Sequence, residues 1–560
     1  MPMTSSLLAD SNRDGVVDQN DAAGKQAWTA QAGALFLANL DDDDGKGKAD
    51  ATDAIVNGPD DEKDLARIKL TAWPSVAATA TGTITVEPAL AAQSTHLFRH
   101  DGSAWSIAGA LSYADLVAGV EFGIEATTFS VDAGSWDGYA VVHLVVTDGP
   151  KTIADDKVVL RVAPFVMVNN LSDLGAVWVS TFDDPGGTAF KGDVGALAMG
   201  VAAVENEAVT PDPQGDQWAE DWWQVGVTFI PATDGPHGML VAQRSAQPDR
   251  PAGGFAAQQL GKDFAFIWPH TDSQTGQADG KGYSLDSFGD HDTIPPYSKD
   301  GQDYPLGRIF IGGSDAHHID PVVRAFYDAQ KAQPVFQVDT TWLFVGHVDE
   351  IFSFVPAATP RGWKLLVASP RLARTMLQSL ADGGMGGVKM FVGESFLDAN
   401  GNPIPADITV SALLADADIM AASEAAQTNI DADVAALKAE VGLDDGEIVE
   451  MPFLFERVSG GATYEYVAHM PGTVNLRSLD GAVGIARPHG PMVNGADLFE
   501  KDLLDRLGSP SSGLGKDGMG LKITFVEDWD DYHVLDGEVH CGSTSAARTM
   551  PAARWWEAGR

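Results

Sequence analysis

Two dense runs of carboxylates, Asp10 to Asp21 and Asp41 to Asp64, limit what the chain can fold into more than any other feature. So much like charge in so few residues must lie on solvent-facing turns or be neutralised by cations. In D-S-N-R-D-G-V-V-D-Q-N-D, the oxygen donors Asp10, Asn12, Asp14, Asp18 and Asp21 fall at positions 1, 3, 5, 9 and 12. Gly15 stands at the sixth position, where a calcium loop turns sharply. The segment reads as a calcium loop. In the second run Asn39, Asp41, Asp43, Asp50 and Asp53 fit a calcium site of less regular shape. For both runs the alternative is a solvated, charged turn.

The rest of the chain is acidic in the same sense: 36 basic residues against 79 acidic ones leave a net charge of −43. A field of that sign repels nucleic-acid phosphates and anionic membranes and favours basic partners or cations. With 560 residues, 44% of them hydrophobic, the chain can bury real cores in two to four domains. The 60 glycines predict many loops. The single cysteine, Cys541, excludes an intramolecular disulfide. No apolar run reaches the ~18 residues of a membrane span, and MPMTSSLLADSNRD lacks the basic start and apolar core of a secretory signal. The expectation is a soluble, intracellular protein, with the cytoplasm favoured, or a trimmed mature form.

From about residue 70 to 163 the pattern is short, β-branched and alternating, as in G-T-I-T-V-E-P, A-V-V-H-L-V-V-T-D and K-V-V-L-R-V-A-P. This predicts a β-sandwich. After Pro164 strand-like segments (363–367, 387–392, 521–525) mix with helix-like ones (322–332, 370–381, 430–441), which is α/β composition. The boundary is expected near Ala163–Val166, giving domains of 1–163 and 164–560.

Three local sequences, W-A-E-D-W-W, V-G-H-V-D-E and D-G-E-V-H-C-G, place ionisable groups inside apolar, strand-like surroundings, where they are costly unless they serve a chemical purpose. His347 and Asp349, two apart, point to one face of an extended strand end. A core histidine beside a surface acid is the bland alternative. Cys541 is expected where a strand ends in a loop, a place from which a thiolate is presented. One Cys, one His and two Asp suit attack on a cationic planar carbon, because carboxylates clamp a guanidinium while sulfur attacks.

These residues carry a resemblance. From about Asn169 to the end, V-G-H-V-D-E-I-F-S-F-V-P-A, L-D-S-F-G, Y-P-L-G-R-I, D-G-E-V-H-C-G and R-W-W resemble, in order, the catalytic domain of the peptidylarginine deiminases. K-V-V-L-R-V-A-P and the acidic runs resemble that family's calcium-binding, immunoglobulin-like middle domain. The cupredoxin-like first domain of the family has no counterpart in these residues. The resemblance implies a pentein fold, five pseudo-symmetric modules in an α/β propeller, preceded by the immunoglobulin-like sandwich. It implies that Cys541 is the nucleophile, His347 the general acid/base, Asp221 and Asp349 the guanidinium clamp, and Trp218 an aromatic wall. Arg250 falls where the family grips a substrate backbone carbonyl. The implied reaction is calcium-dependent hydrolysis of protein-bound arginine to citrulline and ammonia through a covalent thiouronium.

The resemblance also implies several calcium ions. Glu220, Gln224, Asp292 and the carbonyls of Phe288 and His291 align with ligands of one ion near the active site. For a second ion the expected carboxylate is Trp222 and the aligned pair reads Ser245 and Ala246, leaving Asp249 nearly alone, so that site is expected to be lost or rebuilt. Asp263 joins the acidic runs as a candidate structural ligand. A second backbone-binding arginine is replaced near Leu535. Two other functions are therefore carried forward: deimination of free arginine or another small guanidine, and calcium-dependent binding without catalysis, since the first acidic run also resembles a dockerin loop.

Overall fold

The computed structural model describes residues 6–132, 134–180, 184–199, 205–209, 216–247, 250–271, 281–398, 400–458, 465–508, 518–547 and 549–558, with backbone alone for 205–209 and 281–282. The alternating segments form two sheets. One runs in the order Leu7–Ala9, Ala66–Leu70, Val120–Ala126, Thr95–His100, Trp105–Ile107, and the other in the order Ala34–Phe36, Lys151–Val162, Tyr139–Asp148, Ala80–Glu87. Period-2 burial follows from the sequence: along Tyr139–Asp148, Ala140, Val142, Leu144 and Val146 are buried. They join Ile68, Phe122 and Ile124 of the first sheet in one apolar core.

That core does not stop at the expected boundary. It continues through Phe165, Phe229, Phe326, Trp555 and Trp556 of the later region. Arg161 stands at the join, its guanidinium 4.7 Å from the ring centre of Trp28 and 5.0 Å from that of Trp555. Its Nη2 donates to the Gln330 carbonyl at 2.8 Å. The last strand of the first region ends at Val162.

Beyond Pro164 five small sheets share one plan, an antiparallel pair extended by a parallel strand. Their central strands are Leu174–Ser180, His237–Arg244, Arg308–Ile311, Trp363–Ala368 and Ala482–Ala486. A parallel neighbour requires a crossover, and a helix lies in each: Pro185–Met199, Gly254–Gln258, Pro321–Gln330, Pro370–Leu380 with Ala417–Val441, and Leu498–Leu507. Helix starts are written locally. Asp320 and Ser369 cap helices whose next residue is proline, their side chains accepting from the N–H of Val322 and Leu372. The final strand, Ser543–Ala547, pairs antiparallel with Leu174–Ser180, so the end of the chain returns to the start of this region.

Two expected elements differ. The helix expected over 430–441 begins at Ala417, because Asp416 caps it there. The strand expected over 387–392 is reduced to Lys389–Met390, because Phe391 turns to a φ of +56°. Among the described residues no helix is long and apolar enough to cross a membrane.

Candidate active site

W-A-E-D-W-W is not a continuous strand. Ala219–Trp222 form a helical turn that buries Glu220 and Asp221 before the strand Trp223–Ile230 begins. Nor do His347 and Asp349 lie on a strand end: His347 caps a short 3-10 turn, Val348–Glu350, and Glu350 Oε1 accepts the N–H groups of Gly346 and His347 at 2.9 Å each. Cys541 precedes a strand, in the turn leading into Ser543–Ala547. The three motifs meet although their local shapes differ from the expectation.

The first two converge on Gly289, and the third is tied to them through Asp349, which Cys541 Sγ and His540 Nδ1 both approach. A methyl at Gly289 would lie 2.5 Å from His347 Nδ1, 3.0 Å from Asp349 Oδ2 and 3.2 Å from Asp221 Oδ1. All three side chains are buried. His347 Nε2 lies 2.9 Å from the Ser284 carbonyl. A carbonyl only accepts, so Nε2 carries a proton and Nδ1 is the basic nitrogen of the neutral ring. That nitrogen is 3.9 Å from Asp221 Oδ1.

Cys541 Sγ donates to Asp349 Oδ2 at 3.5 Å and accepts from Asn475 Nδ2 at 3.2 Å. Asn475 Oδ1 in turn accepts the N–H groups of His540 and Cys541, at 2.8 and 3.3 Å. His540 Nδ1 lies 2.9 Å from Asp349 Oδ2. Burial, then the carboxylates of Asp349 and Asp221, push the Cys541 thiol well up. Burial and neighbouring acids raise Asp349 in the same way. Both shifts have one cause, burial beside like charge, and a cation placed between the two groups opposes both.

Trp218 borders this cluster and packs against Gly537, where an added methyl would lie 2.2 Å from its ring. Arg250 is engaged inside the protein rather than free. Its Nε and Nη2 donate to the two oxygens of Asp216 at 2.7 and 3.0 Å, and its Nη1 to Asp221 Oδ2 at 3.3 Å. Leu535 is exposed.

Residues 152–557 match the protein-arginine deiminase (PAD) family. This chain belongs to that family. Protein-arginine deiminase type-3 of Rattus norvegicus and of Homo sapiens are each 32% identical to it over 448 residues, or 78% of this chain and 62% of the relative. Protein-arginine deiminase type-4 of Rattus norvegicus is 30% identical over 411 residues, 72% of this chain and 57% of the relative. The chain thus spans about three fifths of the length of the curated deiminases it matches. A solved C. Jejuni agmatine deiminase covers 69% of this chain and 97% of its own at 10% identity and a TM-score of 0.35, too low to define a shared fold.

Within this deiminase-family chain the acidic residues sort into distinct groups. Asp41, Asp43 and Asp263 place carboxylate oxygens within 4.8 Å of one another, and so do Asp42, Asp44 and Asp50. The first group fits an oxygen-seeking cation such as calcium, because Asp41 Oδ1 and both Asp43 oxygens are buried without a hydrogen-bond partner. It also joins the two regions, since Asp263 N–H donates to Asp41 Oδ2 at 2.9 Å across 222 positions. Asp42, Asp44 and Asp61 were not anticipated. Asn39 turns its amide to Asp61 and Glu125, and Asp53 is exposed, accepting from Ile55 N–H.

The Asp10 loop closes on itself. Asp10 accepts from Asp14 and Gly15 N–H, and Asp21 accepts from Ser11, Asn12 and Asp18 N–H. Gly15 has φ +83°, and a methyl there would lie 2.5 Å from the backbone of Ala232 and Thr233. The remaining expected ligands, Glu220, Gln224, Phe288, His291 and Asp292, cluster beside the site, but Glu220 is ion-paired to Arg477 at 2.6 Å. Gln224 Nε2 donates to the His291 carbonyl at 3.1 Å. Trp222 and Ala246 are buried and apolar, Ser245 Oγ donates to the Asp286 carbonyl, and Asp249 lies outside the described residues.

Sequence reasoning missed Asn475, Arg477, His540, Ser284 and Gly289. The only signal for the first two was a pair of polar residues in the apolar run V-N-L-R-S-L, a pattern that also describes an ordinary strand edge.

Proposed function

We propose that this protein hydrolyses the guanidinium of arginine to citrulline with release of ammonia, acting on arginine within proteins or peptides. The convergence of His347 Nδ1, Asp221 and Asp349 on one point beside Cys541 carries the reading. Two carboxylates there neutralise and orient a planar cation, with Trp218 along its aliphatic stem. As Cys541 Sγ bonds to the guanidinium carbon, the thiol proton is given up and His347 Nδ1 is the nearby base. His347 returns a proton to the departing nitrogen, which leaves as ammonia. Water, deprotonated by His347 Nδ1, then adds to the thiouronium carbon, and the carbon–sulfur bond breaks as that proton returns to sulfur, giving citrulline and the free thiol.

The five like-built sheets are proposed to close as a five-module propeller around this site, behind an immunoglobulin-like sandwich. Calcium would be held by Asp41, Asp43 and Asp263, by Asp42, Asp44 and Asp50, and by the Asp10 loop. Its contribution there is to neutralise crowded carboxylates and clamp the two regions. The −43 charge favours basic substrates, an attraction that weakens with salt.

A second reading, deimination of a small free guanidine, has one observation in its favour: Arg250 is bound to Asp216 and Asp221 and not turned outward to grip a peptide. The ratio of kcat/KM on a blocked peptidyl-arginine to that on free arginine separates the two. A ratio well above one is expected, and product from free arginine alone would overturn the peptidyl reading.

A further inference from the structure

The ligand set expected for calcium beside the active site is engaged from within the protein at Glu220 and at Gln224 Nε2, while Gln224 Oε1 is buried without a hydrogen-bond partner. Arg477 and Glu220, with side chains 3% and 2% exposed, form an ion pair between Nη2 and Oε2. The other donors of the guanidinium are also used: Nε on Ser543 Oγ at 3.0 Å, Nη2 on the His540 carbonyl at 3.2 Å and on the Ser543 carbonyl, and Nη1 on Ser545 Oγ at 3.4 Å. Its charge acts on Asp292 as well as Glu220. Gln224 binds the His291 carbonyl, so two further expected ligands face each other. A hard divalent ion needs six to eight oxygens and is repelled by a permanent cation among them.

The position of the guanidinium is as telling as its charge. Glu220 immediately precedes Asp221, and His540 immediately precedes Cys541. One buried fork therefore ties the turn carrying a clamp carboxylate to the turn carrying the thiol, and the Glu220 N–H to Cys541 carbonyl bond at 3.1 Å runs beside it.

We propose that Arg477 is a built-in cation that replaces calcium at Glu220, Gln224 and Asp292 and positions Asp221 against Cys541 without an ion. This rests on the proposed function only in treating Asp221 and Cys541 as the reacting pair. Calcium still has its sites in the acidic runs, so the proposal concerns this one position.

Counting bound calcium by equilibrium dialysis on the full chain tests it. Wild type and Asp292→Asn are expected to bind equal numbers of ions. Arg477→Met, which leaves the acids uncompensated, is expected to bind one more, and the double variant Arg477→Met/Glu220→Gln to lose it again. Calcium should raise the thermal midpoint of Arg477→Met by more than that of wild type, a rescue absent in the double variant. A count that falls by one in Asp292→Asn overturns the proposal, as does an Arg477→Met count equal to wild type. If Arg477→Met does not fold, the Asp292→Asn comparison decides alone. The count needs no turnover, so absence of deimination would refute the proposed function and leave this result to be judged separately.

Discussion

Replacing Gly289 by alanine adds one methyl where the three groups proposed to act in catalysis converge and changes no titratable residue. Gly289 lies in a 3-10 turn, Phe288–Asp290, without a positive φ, so the backbone accepts alanine. The methyl would lie 2.5 Å from His347 Nδ1, and the ring must retreat by about 0.9 Å to regain ordinary contact. That movement works against the bond from Nε2 to Ser284. Displacement of a reacting group by about 1 Å costs ~10²-fold in rate, or about 2.7 kcal/mol of transition-state stabilisation. Overpacking costs a further ~1–3 kcal/mol of stability, which a domain of ordinary stability survives. Gly192→Ala is the control: it sits in the helix Pro185–Met199 with nothing within 4 Å, and alanine there should be neutral or stabilising. Citrulline release under saturating and limiting peptidyl-arginine gives kcat and kcat/KM. A Gly289→Ala enzyme within a factor of about five of wild type would refute the convergence argument.

Other expectations follow from the same contacts. Asp349→Asn removes a carboxyl whose charge opposes ionisation of the Cys541 thiol, so the pH at half-maximal alkylation of the thiol should fall; an unchanged profile contradicts the electrostatic account. Asp286 is buried and its acidity is pushed up to about 8, with the unfolded value near 3.8. Its contribution to stability is therefore present below about pH 4 and lost as pH rises to about 8. Asp286→Asn keeps the acceptor for Asp320 N–H and should melt above wild type at pH 9, with the gap closing toward pH 4. For the Asp41–Asp43–Asp263 group, calcium at about 100 times its Kd should stabilise by about 2.7 kcal/mol, and Asp263→Asn should abolish that share. Equal calcium-induced shifts in the two proteins would place the ion elsewhere.

How much of this was legible in the sequence depends on whether the cause is local. Strands such as Tyr139–Asp148 announce themselves by alternation, and helices such as Pro370–Leu380 by a cap, a proline and an apolar stripe. Cys541, His347, Asp221 and Asp349 stood out because ionisable groups sat among apolar neighbours. Their local shapes did not, because Glu350 folds V-G-H-V-D-E into a capped turn and Glu220 and Asp221 bury in a helical turn. Long-range pairings were beyond reach: Asp41 with Asp263, Arg477 with Glu220 and Asn475 with Cys541 are set by sheet packing. No spacing along the chain records them.

The most direct test is to react the wild-type protein and Cys541→Ala with a blocked peptidyl-arginine, quench in acid, and measure both citrulline and the mass of the Cys541 peptide. The account predicts citrulline from wild type only, with a transient adduct on Cys541 equal to the substrate less one ammonia. Citrulline formed at the wild-type rate by Cys541→Ala, or none from either protein, would contradict it.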